Sequence, residues 1–268
     1  MRAWTLKLTT LFLTLIVTLS LTAAEVKQSS YIKPDWVSEG LWEELKPDLL
    51  PFDHPIKPAL DKIFKSHRVT ESAASFMGAG FVFHEREGRR RVIARHLKLP
   101  GYLVKTYLDT HRTHMEDGLI WRNRINGARQ LQACIDKHNY NHLMKVPKKW
   151  LYPIPCNNPS RSPYPKGYAL IVEDAKTLSH LANYRKYANE ITKEQVKAIY
   201  VMLYENHAFD CVHVFNIPFC KDGKIAWIDT EGLNAYHHPI SYWKMTEKLP
   251  KELRPYWEKL YKQKNKKK

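Results

Sequence analysis

The sequence predicts an α+β fold in two lobes, a small antiparallel-sheet lobe and a mainly helical lobe. Three observations lead there. Between Ala74 and Thr110, short apolar runs alternate with turn signals, "EREG" at 85–88 and Pro100-Gly101, as in a small antiparallel sheet. Downstream, Ile120, Ile125, Ala128, Leu131 and Ile135 recur at helical spacing. Later still, "HVFNIPFCKDGKIAWIDTEG" (213–232) sets two apolar runs around a Lys-Asp-Gly turn, the pattern of a hairpin.

Taken in order, residues 1–24 read as a signal peptide. Two positive charges in "MRAWTLK" precede a charge-free apolar run, and Thr22 and Ala24 fit a small-x-small cleavage site. An uncleaved membrane anchor over 8–24 is the alternative, because that run is at the short limit for a span. Residues 25–67 form an arm with a short helix at "SEGLWEELKP" and a second at 54–66, where Ile56, Leu60, Ile63 and Phe64 share a face. Residues 68–167 hold the small sheet, the helix 118–138, and a long proline-dense loop, "VPKKWLYPIPCNNPSRSPYPKGY". Residues 168–262 form the mainly helical lobe with its hairpin. It opens with the buried strand "YALIVED" and includes the helix 192–208, for which Thr192 and Gln195 have capping-box spacing. Residues 263–268 are a basic tail.

A chain of 268 residues is long enough for a substantial core, and 44% hydrophobic content excludes a disordered protein. The net charge of +16 attracts anions, with concentrations at "GRRRVIARHLK" (88–98) and "KQKNKKK" (262–268). A solvated basic face without a specific partner is the plain alternative. Cys134, Cys156, Cys211 and Cys220 are an even set, and in an exported, oxidising setting one or two disulfides are expected, with three pairings open. The expected location is secreted or periplasmic, with no membrane contact after cleavage.

The hairpin places Asn216 and Asp229 thirteen positions apart, with the carboxylate at the end of a buried run. An amide and a carboxylate are oxygen donors suited to a hard cation. Three other pieces precede it: "FMGAGFVF" with Gly78 and Gly80, "GYLVKTY" with Lys105, and "YALIVEDA" with Glu173 and Asp174. In this order, these four pieces resemble the protein-kinase-like phosphotransferase fold in a divergent form.

The resemblance implies ATP and Mg²⁺ in a cleft between the lobes. Lys105 would hold phosphates, Gly78 and Gly80 would let backbone approach them, and Glu173 would stand at the strand joining the lobes. Asn216 and Asp229 would hold the metal. Asp210 would be the catalytic base, provided the loop carries one extra residue, since Cys211 occupies the usual spacing. The helix 118–138 offers Gln130 and Gln132 but no Glu to pair with Lys105, and Glu116 stands just ahead of it. The implied function is phosphotransfer to a hydroxyl acceptor on an acidic protein or an already phosphorylated acceptor. The alternative is an inactive secreted binding module using its basic face. An edge-strand lysine, a strand bulge at Gly78–Gly80 and a plain polar-tipped hairpin are the readings without chemistry.

Other constellations are weaker. Cys211 with His213 is a poor hydrolase pair, and "HRTHMED" and His237-His238 lack zinc-protease spacing. The aromatic residues at 236–261 fit helix packing, so no specific nucleic acid is expected.

Overall fold

The computed structural model describes residues 31–34, 37–85, 91–155, 159–208, 213–233 and 242–265. Its centre is a five-stranded antiparallel sheet in the order β1 (Phe81–Glu85), β2 (Arg91–His96), β3 (Tyr102–Tyr107), β6 (Tyr168–Glu173), β5 (Lys149–Pro153). Two-residue strands β4 (Met144–Lys145) and β7 (Ile225–Ala226) form a separate parallel pair. The architecture is therefore α+β with an antiparallel sheet.

Period-two alternation gives the sheet two apolar faces. On β6, Ala169 and Ile171 pack on one side with Val92, Ala94 and Val104. Helices α2 (Lys57–Lys65) and α3 (Ala73–Gly78) cover that side through Leu60, Ile63, Phe64 and Phe76. Tyr168, Leu170 and Val172 point the other way, against Trp42 and Leu45 of α1 (Glu39–Leu45) and Ile120, Trp121 and Ile125 of α4 (Asp117–Lys137). The sheet extends past residue 167 to Glu173, so the apolar run at 168–173 is a paired inner strand.

The second core is helical. Leu131 and Ile135, from the far half of α4, join Tyr187 of α5 (His180–Asn189), Val196, Ile199 and Leu203 of α6 (Lys193–Glu205), and Trp257 of α8 (Arg254–Asn265). A short helix, α7 (Trp243–Thr246), precedes α8. The 21-residue α4 thus serves both cores. Its start is set by Glu116, whose carboxylate accepts the Leu119 N–H at 3.2 Å. The capping box at Thr192–Gln195 forms in both directions, at 3.0 and 3.1 Å.

Three expectations change. "FMG" is the end of α3 rather than a strand, because the Ser72 hydroxyl accepts the Ser75 N–H and starts a helix there. The proline-dense loop contains β5; Pro153 is tolerated as the last residue of an edge strand, where its missing N–H costs no ladder bond. Cys134 and Cys220 are buried free thiols, so neither is in a disulfide. Cys156 and Cys211 lie outside the described residues, as do 1–24 and 266–268. No helix among the described residues is long and apolar enough to cross a membrane.

A buried ion pair ties the strand-loop layers together. Asp109, fully buried, accepts from Arg68 Nε at 2.7 Å and Nη2 at 3.1 Å and from the Lys166 N–H at 2.9 Å. Burial pushes its carboxyl up, but Arg68, the Lys166 N–H and the Ser160 hydroxyl together hold it below the ordinary value. Its stabilising contribution is therefore present above the unfolded carboxylate value near pH ~4 and fades as pH falls through the lower folded value. Asp109→Ala leaves the Arg68 charge uncompensated and is expected to cost about 3–5 kcal/mol in urea unfolding at pH 7. The loss should shrink in acid.

Candidate functional site

A cavity of about 350 Å³ lies where the sheet meets the 213–232 segment. Lys105, Glu173, Asn216 and Asp229 all line it. Lys105 reaches it from β3, where it pairs with Ile93 on one side and Leu170 on the other, so its side chain shares the α4-facing side of the sheet. It is buried. Ile93, Leu103 and Val172 give the cavity an apolar wall from the sheet, and Leu178, Pro218 and Ile228 give one from the opposite side. Apolar lining next to Lys105 and Arg91 suits a flat ring system carrying an anionic tail.

Hydrogen bonds fold residues 216–228 back on themselves as a narrow hairpin. Cys220 N–H donates to Lys224 O at 2.8 Å, Ala226 N–H to Pro218 O at 2.9 Å, and Ile228 N–H to Asn216 O at 3.1 Å. Gly223, at φ 81°, takes the left-handed turn position that a side chain would strain. The last of these bonds sets Asn216 beside the residue preceding Asp229. The outer arm is pinned by Asn183 of α5, which donates to Val214 O at 2.9 Å and accepts from Phe219 N–H at 2.9 Å. Tyr187 donates to Ile217 O at 2.6 Å. The inner arm is held by β4, through Ile225 N–H to Leu143 O and Trp227 N–H to Lys145 O, at 2.9 and 3.0 Å.

Asp229 meets α4 directly. Arg124 Nη1 donates to its Oδ1 at 2.5 Å, and Arg124 Nη2 pairs with Glu231. Arg91 Nη1 stands 3.8 Å from Asp229 Oδ2 and 3.9 Å from Glu231. Burial pushes the Asp229 carboxyl up, but Arg124, Lys105, Arg91 and Lys149 together hold it below the ordinary value. The helix approaches closely because residue 127 is glycine: a Cβ there would overlap the Thr230 carbonyl oxygen. Thr230 Oγ1 donates to Arg124 O at 2.5 Å, closing the contact.

Some expected residues fall elsewhere. Gly78 ends α3 and Gly80 turns into β1 at φ 91° against the His96 ring, so neither lines the cavity. The β1–β2 connection, 86–90 with Gly88, lies outside the described residues, as does Asp210. Glu173 is at the cavity edge, where Oε2 accepts the Lys148 N–H at 3.2 Å. Glu116 is spent as the α4 cap, and Gln132 bonds Asp136 and Asn141 away from the site. Sequence reasoning missed Arg124, Arg91, Lys149 and Glu231. Arg124 had a signal: it sits one turn from both Ile120 and Ala128, a charge inside an apolar stripe.

No protein-family model and no curated protein matches the chain.

Two substitutions test the docking of α4 on the Asp229 segment. Gly127→Ala forces helix and segment apart and is expected to cost about 1–3 kcal/mol in urea unfolding. Arg124→Met removes the strongest opposing charge, so the Asp229 carboxyl should titrate higher than in the parent protein. Carboxyl-carbon NMR across pH 2–7 reads the shift.

Proposed function

We propose that the cavity binds a nucleoside triphosphate with a hard divalent cation and passes the terminal phosphoryl group to a hydroxyl acceptor, in the manner of a divergent, exported protein-kinase-like protein. The carrying observation is that Lys105, Asn216 and Asp229, far apart in sequence, line one cavity between the sheet and the hairpin. The donor set fits such a cation: the Asn216 amide and the Asp229 carboxylate supply oxygen only. Asp229 Oδ1 is engaged by Arg124 and Arg91 stands 3.8 Å from Oδ2, so an ion on this carboxylate would share it with both arginines. When bound, the cation would bridge phosphate oxygens and offset their charge. Lys105 would clamp phosphates from the sheet, with Arg91, also on the lining, adding a second positive contact. The ring of the nucleotide would sit between Ile93 and Leu103 on one side and Leu178 and Ile228 on the other. Asp210 would accept the acceptor's proton. The basic run from Arg91 favours an acidic protein or a phosphorylated acceptor.

A second reading has an observation of its own. The α4 side chain that reaches the site is a cation, Arg124, where the resemblance implies a Glu paired with the strand lysine. A guanidinium locked on the metal-side carboxylate suits binding without transfer, in a secreted module that engages an acidic partner.

Thermal unfolding with ATP and Mg²⁺ separates these outcomes. At ligand a hundredfold above Kd, stabilisation of about 2.7 kcal/mol is expected, a rise of several degrees. Asp229→Asn should remove its Mg²⁺-dependent part, and Lys105→Met should weaken ATP binding with or without metal. Transfer of γ-phosphate label to an acidic protein supports the enzyme. A shift without transfer supports the binding module. Absence of any shift with ATP, with or without Mg²⁺, overturns both.

A further inference from the structure

A second group of metal-ligating side chains lies on α4, roughly 15–21 Å beyond Arg124 by the helical rise. Cys134 and His138 are four residues apart on the helix and so share a face. Glu205, the last residue of α6, stands opposite them. His138 Nε2 is 2.9 Å from Glu205 Oε1, and Cys134 Sγ is 3.9 Å from Glu205 Oε2. One ligand atom from each of the three residues lies within 4.8 Å of the other two.

We propose that Cys134, His138 and Glu205 form a site for a thiophilic divalent cation of the zinc class. The site stands apart from the cavity and does not depend on the reading given to it. Sulfur, imidazole nitrogen and carboxylate oxygen are the three donor types such an ion takes, and a tetrahedral ion with bonds of about 2.0–2.3 Å holds its ligand atoms about 3.3–3.8 Å apart. Side-chain rotations of about an ångström reach that spacing from the present one. Mg²⁺ does not suit the site, because it wants oxygen ligands throughout. The site is open on one side: Cys134 is buried, His138 is half-buried and Glu205 is exposed, so water would fill the fourth position. Lys137 Nζ donates to Glu205 Oε2 at 2.8 Å, which assigns Oε1 to the ion. On loading, the Cys134 thiol gives its proton to solvent and its sulfur binds as thiolate. The bound ion would replace a surface His–Glu contact with a staple between the ends of α4 and α6.

The test uses the untagged full chain, stripped with chelator and titrated with Co²⁺. The expected result is one Co²⁺ per chain with a near-ultraviolet thiolate-to-cobalt charge-transfer band. Cys134→Ser, nearly isosteric, should lose the band. Glu205→Gln keeps the cysteine and should weaken binding at least about tenfold, since even an outer partner of a ligand is worth about 10–100-fold. Circular dichroism checks that each variant folds, and if Cys134→Ser does not, Glu205→Gln decides. The proposal is overturned by absence of the thiolate band, or by a band unchanged in Cys134→Ser, which would place binding at Cys156, Cys211 or Cys220. Unchanged affinity in Glu205→Gln overturns it as well.

Discussion

The docking of α4 on the Asp229 segment is the constraint from which the rest of the site follows. Arg124 is almost wholly buried, and so is most of the carboxylate it meets. Two such charges are tolerated away from water only when paired, and separating them strands both at a cost of several kcal/mol. Arg124 Nε has no hydrogen-bond partner, so the guanidinium gains its compensation through the other two nitrogens, on Asp229 and Glu231. Gly127 then permits backbone contact with Thr230. Position along the helix axis is therefore set by charge, and approach distance by the missing side chain. Since α4 packs against the sheet with Ile120 and Trp121 and against the helical core with Leu131 and Ile135, fixing Asp229 on it also fixes the two cores around the cavity.

Electrostatics decide what can enter. Arg124, Arg91, Lys105 and Lys149 all act on Asp229, with Glu231 the second acid. Four cations against two carboxylates leave the surroundings of Asp229 positive. Three of the four are buried, so their fields are weakly screened by salt. An anion gains from that excess, whereas a lone divalent cation must compete with Arg124 for the one carboxylate. The two effects agree only if cation and anion arrive together, which is how a metal–phosphate pair would present itself. The apolar walls formed by Ile93, Leu103, Leu178 and Ile228 add a preference for a flat apolar portion. Inorganic phosphate alone would use half of the site.

How much of this could be read beforehand depended on whether the signal was local. The α4 boundaries, the Thr192 cap, the Lys105 strand and the Asn216–Asp229 hairpin rest on periodicity, capping chemistry and turn residues within a short window, and all form. Gly78 and Gly80 misled because G-x-G describes permissive backbone without saying where it stands; the Ser72 cap made the first glycine helical. β5 was hidden by the prolines in and around it, since edge position, which makes Pro153 harmless, is a tertiary fact. Arg124 was hidden by the opposite problem. Its partners Asp229 and Glu231 lie more than a hundred residues away, and nothing near it in sequence reveals that a buried cation has been matched.

Restraint along α4 determines which motions are open to the cavity. At its N-terminus, Asp117 accepts the Gly167 and Tyr168 N–H groups at 3.0 and 2.9 Å, tying the helix to the start of β6. At its C-terminus, Lys137 and His138 meet Glu205 of α6. Arg124 holds the middle. The N-terminal bonds are buried and the Arg124 pair is partly so, whereas the Glu205 contacts are exposed, so closure by a swing of the N-terminal end of α4 is the costly one. The strand-to-helix connection after Glu173 is looser. Asp174 N–H donates to Gly101 O at 2.8 Å, but Lys176 sits at φ 55°, a left-handed backbone that a lysine adopts only at some cost. The Asp174 carboxylate accepts from both the backbone and the Nζ of Lys176 and pairs with Arg95 of β2 at 3.2 Å. Those bonds lie nearer the surface and are the ones solvent can replace. A ligand entering between β2 and the 174–178 segment would therefore displace that rim, while the Arg124–Asp229 pair stays as the fixed floor against which it is held.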